Sequence, residues 1–263
     1  MGLTNCQIYY QNKNAMRPGP DLFLSGPSRP TLIKYAHMDR MQRLVAFGCS
    51  NTLGEGLEGF QWRQPHPRAW PAVLGQQLDR PVLNLGHSGA SNRYIMDRVL
   101  NTPLTRTDTV VIMWTSFARH CWFDAGGQVR RALPHDIGRP HEWPHDGPEI
   151  DGRLSELYYQ HIWSPHDAWH ASMTQINWTQ AYLQRLGVRC LHLLWWEDPS
   201  GRHHLDRPSW NQTLIHNLPF SQEDRAPDGH HPGVKSHHTQ ALRIRELLFR
   251  THPNHPATLR SHS

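Results

Sequence analysis

The chain has 263 residues, of which 37% are apolar, and a formal net charge of +5. This length favours one domain with extensions over two domains, and the apolar fraction is enough for one core under long polar loops. The basic excess is spread along the sequence without a Lys/Arg cluster, so nucleic-acid binding is not predicted, and no apolar run is long enough to span a membrane.

The four cysteines show no paired spacing, which argues against both a disulfide framework and a zinc ribbon. The N-terminus also lacks the apolar segment of a signal peptide. These two features predict a protein that is made in, and stays in, the cytoplasm.

Residues 1–40 are predicted to form an irregular arm ahead of the domain. Residues 11–30 are rich in Asn, Pro, Gly and Ser and follow no sustained period. Two interpretations remain open. Met38 and Met41 directly precede the first strand, so the true start could lie there, or the arm docks on a neighbouring subunit or a larger assembly.

The first predicted strand, near residues 43–48, is a short apolar run that ends at Gly48. Ser50 follows it, and Gly54 and Gly56 allow the chain to bend sharply. Ligands of open α/β sheets bind at the carboxyl ends of the strands, so Ser50 is a candidate nucleophile. The alternative is a strand followed by an ordinary polar turn.

Apolar runs and helical spacings then alternate along the chain. Further strands are predicted near residues 81–85, 109–114 and 188–195, and helices over residues 69–78, 91–100, 166–187 and 233–250. This alternation predicts the α/β class, as a three-layer α/β/α sandwich with a central parallel sheet. The domain is predicted to span residues 41–250, and a polar tail residues 251–263.

Residues 119–165 are predicted to be a long irregular insertion, and residues 197–227 are also predicted to be irregular. The insertion holds many Pro, Gly, His and Trp residues, and a segment of this length without periodicity is unusual unless it is functional. It leaves the carboxyl end of the third strand. The insertion is either a lid lined with aromatic rings or a surface segment with a small satellite core.

A second candidate stretch lies near the C-terminus, where Asp228 precedes His231 by three residues and Pro232 follows. A serine nucleophile needs a base to take its proton, and the base needs a carboxylate to hold its tautomer. One Asp-x-x-His turn can supply both. The alternative is a polar loop in a chain with 21 histidines.

Taken together, these stretches resemble the SGNH (GDSL-type) hydrolase family. That family carries its nucleophile in a Gly-Asp-Ser block after the first strand, matched here by residues 48–50, and its Asp and His in an Asp-x-x-His-Pro block, matched by residues 228–232. Residues 84–92 are similar to its second block. Residues 109–116 are similar to its third block, but the expected Gly-x-Asn has no asparagine.

The resemblance implies a catalytic triad of Ser50, His231 and Asp228, and a flavodoxin-like strand order. It also implies that the backbone N–H groups of Ser50 and Gly89 bind the oxyanion. The variant block Gly-Cys-Ser-x-Thr-x-Gly-x-Gly looks most like family members encoded in bacteriophage genomes and polysaccharide loci. A phage-encoded protein would be expected in the virion.

The third oxyanion donor of the family, a side-chain amide, is missing. Thr115 or Ser116 could replace it with a hydroxyl, and Asn92 could reach in from the second block. Losing one such donor typically costs about 10²–10³ in rate, so the sequence predicts a slow or unusual hydrolase or an inactive homologue. Cys49 replaces the family's aspartate at a position that does not perform the chemistry.

Arg119 and Trp114, next to the third block, are candidate substrate-binding residues. Arg119 suits an anionic or sugar substrate, and the alternative is a surface arginine. Adjacent histidines at 203–204, 230–231 and 237–238 suggest a metal, but adjacent side chains point apart, whereas zinc ligands are spaced for one helix face or a knuckle. No metal site and no cofactor are predicted.

The predicted function is therefore a serine esterase or deacylase that acts on an acylated carbohydrate or another small ester. The alternative is a binding or structural protein with the SGNH fold and weak or absent catalytic activity. Such a protein could be associated with a virion. The expected partners are the ester substrate and, through the arm, a homo-oligomer or larger assembly. Neither nucleic acid nor a membrane is expected.

Overall fold

The structure is a computed structural model that describes residues 42–127, 129–134, 137, 152–194 and 215–251. Several predicted features lie outside the described residues: the arm at residues 1–40, residues 138–151 of the insertion, the histidine pair at 203–204, and residues 252–263 of the tail.

Strands and helices alternate along the described chain. In order they are β1 (Leu44–Gly48), α1 (Ser50–Leu53), α2 (Trp70–Leu78), β2 (Val82–Gly86), α3 (Asn92–Leu100), β3 (Thr109–Trp114), β4 (His120–Phe123), β5 (Val129–Ala132), α4 (Gly152–His161), α5 (Pro165–Leu186), β6 (Arg189–Leu194), β7 (Ile215–Asn217) and α6 (Val234–Thr251).

Five strands form one parallel sheet in the order β2-β1-β3-β6-β7. Numbered among themselves, these strands have the order 2-1-3-4-5 of flavodoxin-like sheets. All four strands that the sequence predicts are present in this sheet. The loops that follow β1, β2 and β3 therefore share its carboxyl edge, where such sheets bind ligands.

Helices cover both faces of the sheet. Because side chains alternate along a strand, Val45 and Phe47 of β1 pack with α3 and α5, whereas Leu44 and Ala46 pack with α2 and α6. A parallel sheet covered on both faces needs apolar residues on both faces, and β1 and β3 are buried throughout. The predicted three-layer α/β/α sandwich is thus confirmed.

Two helix ends also follow the sequence prediction. Ser91 caps α3, since its Oγ accepts a hydrogen bond from the Tyr94 N–H at 3.3 Å. Gly187 ends α5 in the left-handed region, at φ +69°.

The predicted irregular segments contain regular structure. β4 and β5 pair as an antiparallel hairpin, and α4 follows. The hydroxyl of Tyr159 in α4 lies within hydrogen-bond distance of the carbonyls of Ala118 and Ala132, so the helix holds the base of the hairpin. β7 lies in the other segment. The strands β4, β5 and β7 have only 4, 4 and 3 residues, too short for a period of two to be recognised in the sequence.

An ion pair ties together the amino ends of β1 and β3. Arg43 Nε and Nη2 each donate to a different carboxylate oxygen of Asp108 at 2.8 Å, and the Thr105 N–H donates to the same group at 2.8 Å. Burial acts to raise the pKa of Asp108, but the hydrogen bonds and the charge of Arg43 lower it overall. The pair therefore holds the two central strands at a common starting point.

Replacing Asp108 by Asn is expected to lower the free energy of unfolding by about 2 kcal/mol, because the Arg43 guanidinium loses a charged hydrogen-bond acceptor. The depressed pKa of Asp108 means that its contribution is present above about pH 4 and is lost as the pH falls through the folded-state pKa. Urea unfolding of wild type and Asp108→Asn should therefore differ at pH 7 and converge in acid. The control is Glu58→Gln, whose side chain is 82% exposed. A stability difference that does not change with pH would contradict this assignment.

Candidate active site

Ser50 lies at the carboxyl edge of the sheet, as the first residue of the single-turn helix α1. The turn from β1 into α1 is tight, because a Cβ added at Gly48 would overlap the side chain of Thr52. Gly54 ends the helix at φ +89°, and its N–H donates to the carbonyl of Ser50 at 2.8 Å. Ser50 is 6% exposed. This local geometry holds Ser50 in a fixed position beside the end of β1.

Asp228 and His231 are paired within their turn. His231 Nδ1 lies 2.6 Å from Asp228 Oδ2, and the N–H groups of His230 and His231 donate to Asp228 Oδ1 at 2.9 and 3.0 Å. Burial acts to raise the pKa of Asp228, but these hydrogen bonds and the charge of His231 lower it overall. An ionised carboxylate only accepts hydrogen bonds, so Nδ1 carries the ring hydrogen and Nε2 keeps its lone pair.

The turn after α1 brings the two stretches together. Gly56, at φ +82°, packs directly against Asp228, because a Cβ at this position would overlap the carboxylate. The preceding residue, Glu55, places Oε2 3.9 Å from His231 Nε2. Within the described residues, no hydrogen bond joins Ser50 Oγ to His231. Nε2 of His231 thus faces the turn that begins at Ser50, and Glu55 is its acidic neighbour.

The sequence patterns did not identify Glu55 as a site residue. Its carboxylate accepts a hydrogen bond from Ser88 Oγ, so it links the turn after α1 to the loop after β2. The available signal was its place between two glycines, Gly54 and Gly56, in the predicted nucleophile turn. Glycine on both sides permits a sharp bend of the backbone at that position.

Gly89 is the second residue whose backbone N–H is predicted to bind the oxyanion. It is in the left-handed region at φ +64°, beside the buried Ser88. Among the described residues, the N–H groups of Gly89 and Ser50 donate to no protein group. Both backbone N–H groups therefore remain available to a ligand.

The three candidates for a further donor differ in their bonds. Asn92 Nδ2 donates to the Thr115 carbonyl and to Ser172 Oγ, both at 3.1 Å, so both amide hydrogens are engaged in the core. Ser116 Oγ accepts from the Ala118 N–H at 3.2 Å, which leaves its own hydrogen to point elsewhere. Thr115 Oγ1 is buried without a partner in the described part of the chain. The hydroxyl hydrogens of Ser116 and Thr115 are therefore not engaged by another described residue, whereas both amide hydrogens of Asn92 are.

The prediction that Trp114 contacts substrate is wrong. Its side chain is 0% exposed, and Nε1 donates to Nδ1 of His192 at 2.9 Å. Burial lowers the pKa of His192 to about 4, so the ring is neutral and can accept this bond. Trp114 closes the apolar core above β3. Its sequence position beside the third block could not show which face of the strand its ring occupies.

Arg119 follows β3, and a small cavity lies beside the loop after β2. Arg119 is half-buried, and its Nη1 is buried without a partner among the described residues. The cavity has a volume of about 260 Å³. It borders the candidate site, because Ser88 both lines it and bonds to Glu55. Its lining residues are Leu53, Trp62, Arg63, Gly86, His87, Ser88 and Tyr94.

Neither a metal cluster nor a membrane-spanning helix is found in the parts of the chain that the structure describes. There, no three His, Cys, Asp or Glu residues are grouped to hold a metal ion. In the adjacent histidine pair at 237–238, His237 is buried, and its Nδ1 accepts a hydrogen bond from the Trp70 N–H at 3.1 Å. Burial lowers the pKa of His237 to about 3. No described helix combines the length and apolarity needed to cross a bilayer.

A profile of a protein family, DUF6071, matches residues 53–209 of the chain. The family is described as one of unknown function. The matched range includes Gly89 and Thr115 but neither Ser50 nor the Asp228 turn. No curated protein matches the sequence.

A structural comparison finds several solved structures that are similar to this chain. The acetyl xylan esterase Est2A of the rumen bacterium Butyrivibrio proteoclasticus is 14% identical over 80% of this chain and 64% of its own, with a TM-score of 0.45. The lipase Lip_vut3 from a goat rumen metagenome is 16% identical, with coverages of 78% and 96% and a TM-score of 0.43. A member of the lipolytic G-D-S-L family from Veillonella parvula is 10% identical, with coverages of 80% and 99% and a TM-score of 0.35.

These structures are named as an acetyl xylan esterase, a lipase and a member of the lipolytic G-D-S-L family. The chain spans just under two thirds of the acetyl xylan esterase. Similarity at this level does not define the activity or the substrate of this protein.

The hydrogen-bond pattern at Asp228 predicts a defined tautomer of His231, with the hydrogen on Nδ1. In Asp228→Asn the side-chain oxygen would stay with the two backbone N–H groups, so its NH₂ would face Nδ1 and move the ring hydrogen to Nε2. The ¹⁵N shifts of histidine-labelled protein distinguish the two tautomers. Asp224→Asn is the control, because Asp224 instead accepts from Lys235 and Ser236 at the start of α6. Identical ring shifts in wild type and Asp228→Asn would contradict the pairing.

Proposed function

We propose that this chain, which belongs to DUF6071, a family of unknown function, is a serine ester hydrolase with Ser50 as nucleophile, His231 as base and Asp228 as its orienting carboxylate. The observation that carries the proposal is the Asp228–His231 pair, which leaves Nε2 with a lone pair facing the turn that begins at Ser50. A nucleophile, a base and an orienter in this relation are the parts that acyl transfer requires.

The proposed reaction has two balanced steps. In the first, Ser50 Oγ bonds to the acyl carbon while its proton passes to His231 Nε2, and the alcohol then leaves with that proton. In the second, a water molecule gives a proton to Nε2 and its oxygen attacks the acyl group. The bond to Ser50 Oγ breaks, Oγ recovers the proton, and the carboxylic acid departs.

Two backbone groups support stabilisation of the oxyanion. The N–H groups of Ser50 and Gly89 donate to no protein group in the described part of the chain, so both remain available when negative charge develops on the acyl oxygen. Among the side chains, Ser116 is the best third donor, because its hydroxyl keeps a hydrogen that the Ala118 contact does not use.

Catalysis requires a shift from the arrangement described above. Proton transfer needs Ser50 Oγ within about 2.6–3.2 Å of Nε2, and such contacts are often looser before substrate binds. In the structure Nε2 has Glu55 as a neighbour at 3.9 Å. The proposal therefore requires the Ser50 side chain or the turn around His231 to move until Ser50 Oγ and Nε2 are within hydrogen-bond distance.

The cavity beside Ser88 supports a small substrate group. Its volume of about 260 Å³ is at the low end for ligand sites, and Trp62 and Tyr94 line it. An aromatic lining with polar neighbours suits the apolar face of a sugar ring. We therefore propose an acylated carbohydrate or another small ester as substrate.

Ser50→Ala is expected to lower ester hydrolysis by at least about 10³-fold on acetylated sugars and short aryl esters, because the bond-forming oxygen is removed. A fluorophosphonate probe should label wild type and not the variant. The melting temperature should stay unchanged, since Ser50 Oγ makes no hydrogen bond to another described residue. Ser221→Ala is the matched control, because the Ser221 hydroxyl donates to Glu223 instead of lying at the candidate site.

Equal background rates in wild type and Ser50→Ala, without labelling of either, would contradict the enzyme. The missing Ser50–His231 hydrogen bond and the absent side-chain amide would then favour the alternative, an SGNH-fold binding or structural protein without chemistry.

Ser116→Ala is expected to lower kcat by about 10²-fold with little change in KM, because the lost hydroxyl would bind only the developing oxyanion. Thr115→Val is the comparison, since it removes a neighbouring hydroxyl of similar size that is buried without a described partner. Steady-state kinetics on one acetyl ester would measure both. A larger loss in Thr115→Val than in Ser116→Ala would assign the donor to Thr115 instead.

A further inference from the structure

Arg131 on β5 reaches from the inserted hairpin to the loop after β2. It is 2% exposed, and its Nη1 donates a hydrogen bond to the carbonyl oxygen of Ser88. The guanidinium also packs against the next residue, because a Cβ built at Gly89 would lie 2.7 Å from Arg131 Nη1. A buried cation therefore contacts both residues of one peptide unit in the candidate site.

The carbonyl of Ser88 and the N–H of Gly89 belong to that same peptide unit. A peptide bond is planar and normally trans, so its C=O and N–H point in opposite directions. A bond that fixes the carbonyl oxygen also fixes the direction of the N–H. Arg131 thus determines where the Gly89 N–H points.

The position of Arg131 is itself well supported. Tyr159 of α4 lies within hydrogen-bond distance of the carbonyls of Ala118 and Ala132, at the two ends of the hairpin. Leu133, 3% exposed, also packs against Gly89, since its Cδ1 would lie 3.2 Å from a Cβ there. The hairpin and α4 therefore support the loop after β2.

We propose that Arg131 is the positioning residue of the oxyanion hole, which aims the Gly89 N–H at the acyl oxygen and places a buried positive charge behind it. This inference rests on the proposed serine hydrolase function. Charge near a buried donor is poorly screened, so the guanidinium makes the Gly89 N–H a stronger donor as the oxyanion forms. The guanidinium of Arg131 thereby offsets the loss of the side-chain amide, which the third block lacks.

The role of Arg131 differs from that of its neighbour Arg130. Side chains alternate along a strand, and Arg130 Nε instead forms an ion pair with Asp124 at 3.0 Å, within the hairpin. The two arginines have the same side chain on the same strand, and only one contacts the Ser88–Gly89 peptide. Arg130→Met is therefore a matched control for Arg131→Met.

Arg131→Met is expected to lower kcat by about 10²-fold while KM changes less than about threefold, because the lost contact acts on the transition state. Arg131→Lys keeps a charge and one donor, so it should recover at least about tenfold of the lost kcat. Arg130→Met should have wild-type kinetics. Wild-type kcat in Arg131→Met, or an equal loss in Arg130→Met, would overturn the proposal.

A second readout does not depend on turnover. In protein labelled with ¹⁵N-glycine, the Gly89 amide resonance should shift in Arg131→Met and stay in place in Arg130→Met. An unchanged Gly89 resonance in Arg131→Met would overturn the positioning role even if kcat fell. Wild-type protein without esterase activity would instead contradict the proposed function, and the resonance would still test the contact.

If circular dichroism shows that Arg131→Met does not fold, Arg131→Lys decides. For this variant we expect a shift of the Gly89 resonance and a kcat loss of about tenfold.

Discussion

The carboxylate of Asp228 is the interaction on which the candidate site depends. It accepts two backbone N–H groups of its own turn and pairs with the ring of His231, so the turn and the tautomer have one common cause. Gly56 can pack against it only because it has no side chain. One carboxylate therefore orders the C-terminal turn, orients the ring of His231 and joins both to the turn that follows Ser50.

Much of this arrangement follows from local sequence patterns. The apolar strand that ends at Gly48 and the Asp-x-x-His turn at Asp228 carry their own signals, because tight turns and paired polar residues require particular residue types at fixed spacing. The four predicted strands of the sheet were recognisable for the same reason. The apolar runs of β1 and β3 reflect burial on both faces, a property of each strand alone.

The remaining parts of the site depend on contacts between distant segments. Arg131 lies in a strand of 4 residues, and nothing in its neighbours indicates that it reaches Ser88. Trp114 shows the converse. Its place at the end of β3 suggested a substrate contact, whereas its bond with His192 holds it in the core. The direction of a side chain at a strand end is decided by tertiary packing, which one sequence does not reveal.

Ser88 connects the opposing charges of the site. Its hydroxyl donates to the carboxylate of Glu55, and its carbonyl accepts from the guanidinium of Arg131. A carboxylate near a forming oxyanion opposes that charge, and the opposition is strong where water is excluded. Arg131, bound to the same residue, supplies the opposite charge on the side of the Gly89 N–H. If acyl transfer occurs at Ser50, its electrostatic balance therefore depends on the inserted hairpin, and an SGNH-type site that lacks the asparagine can still favour negative charge at the acyl oxygen.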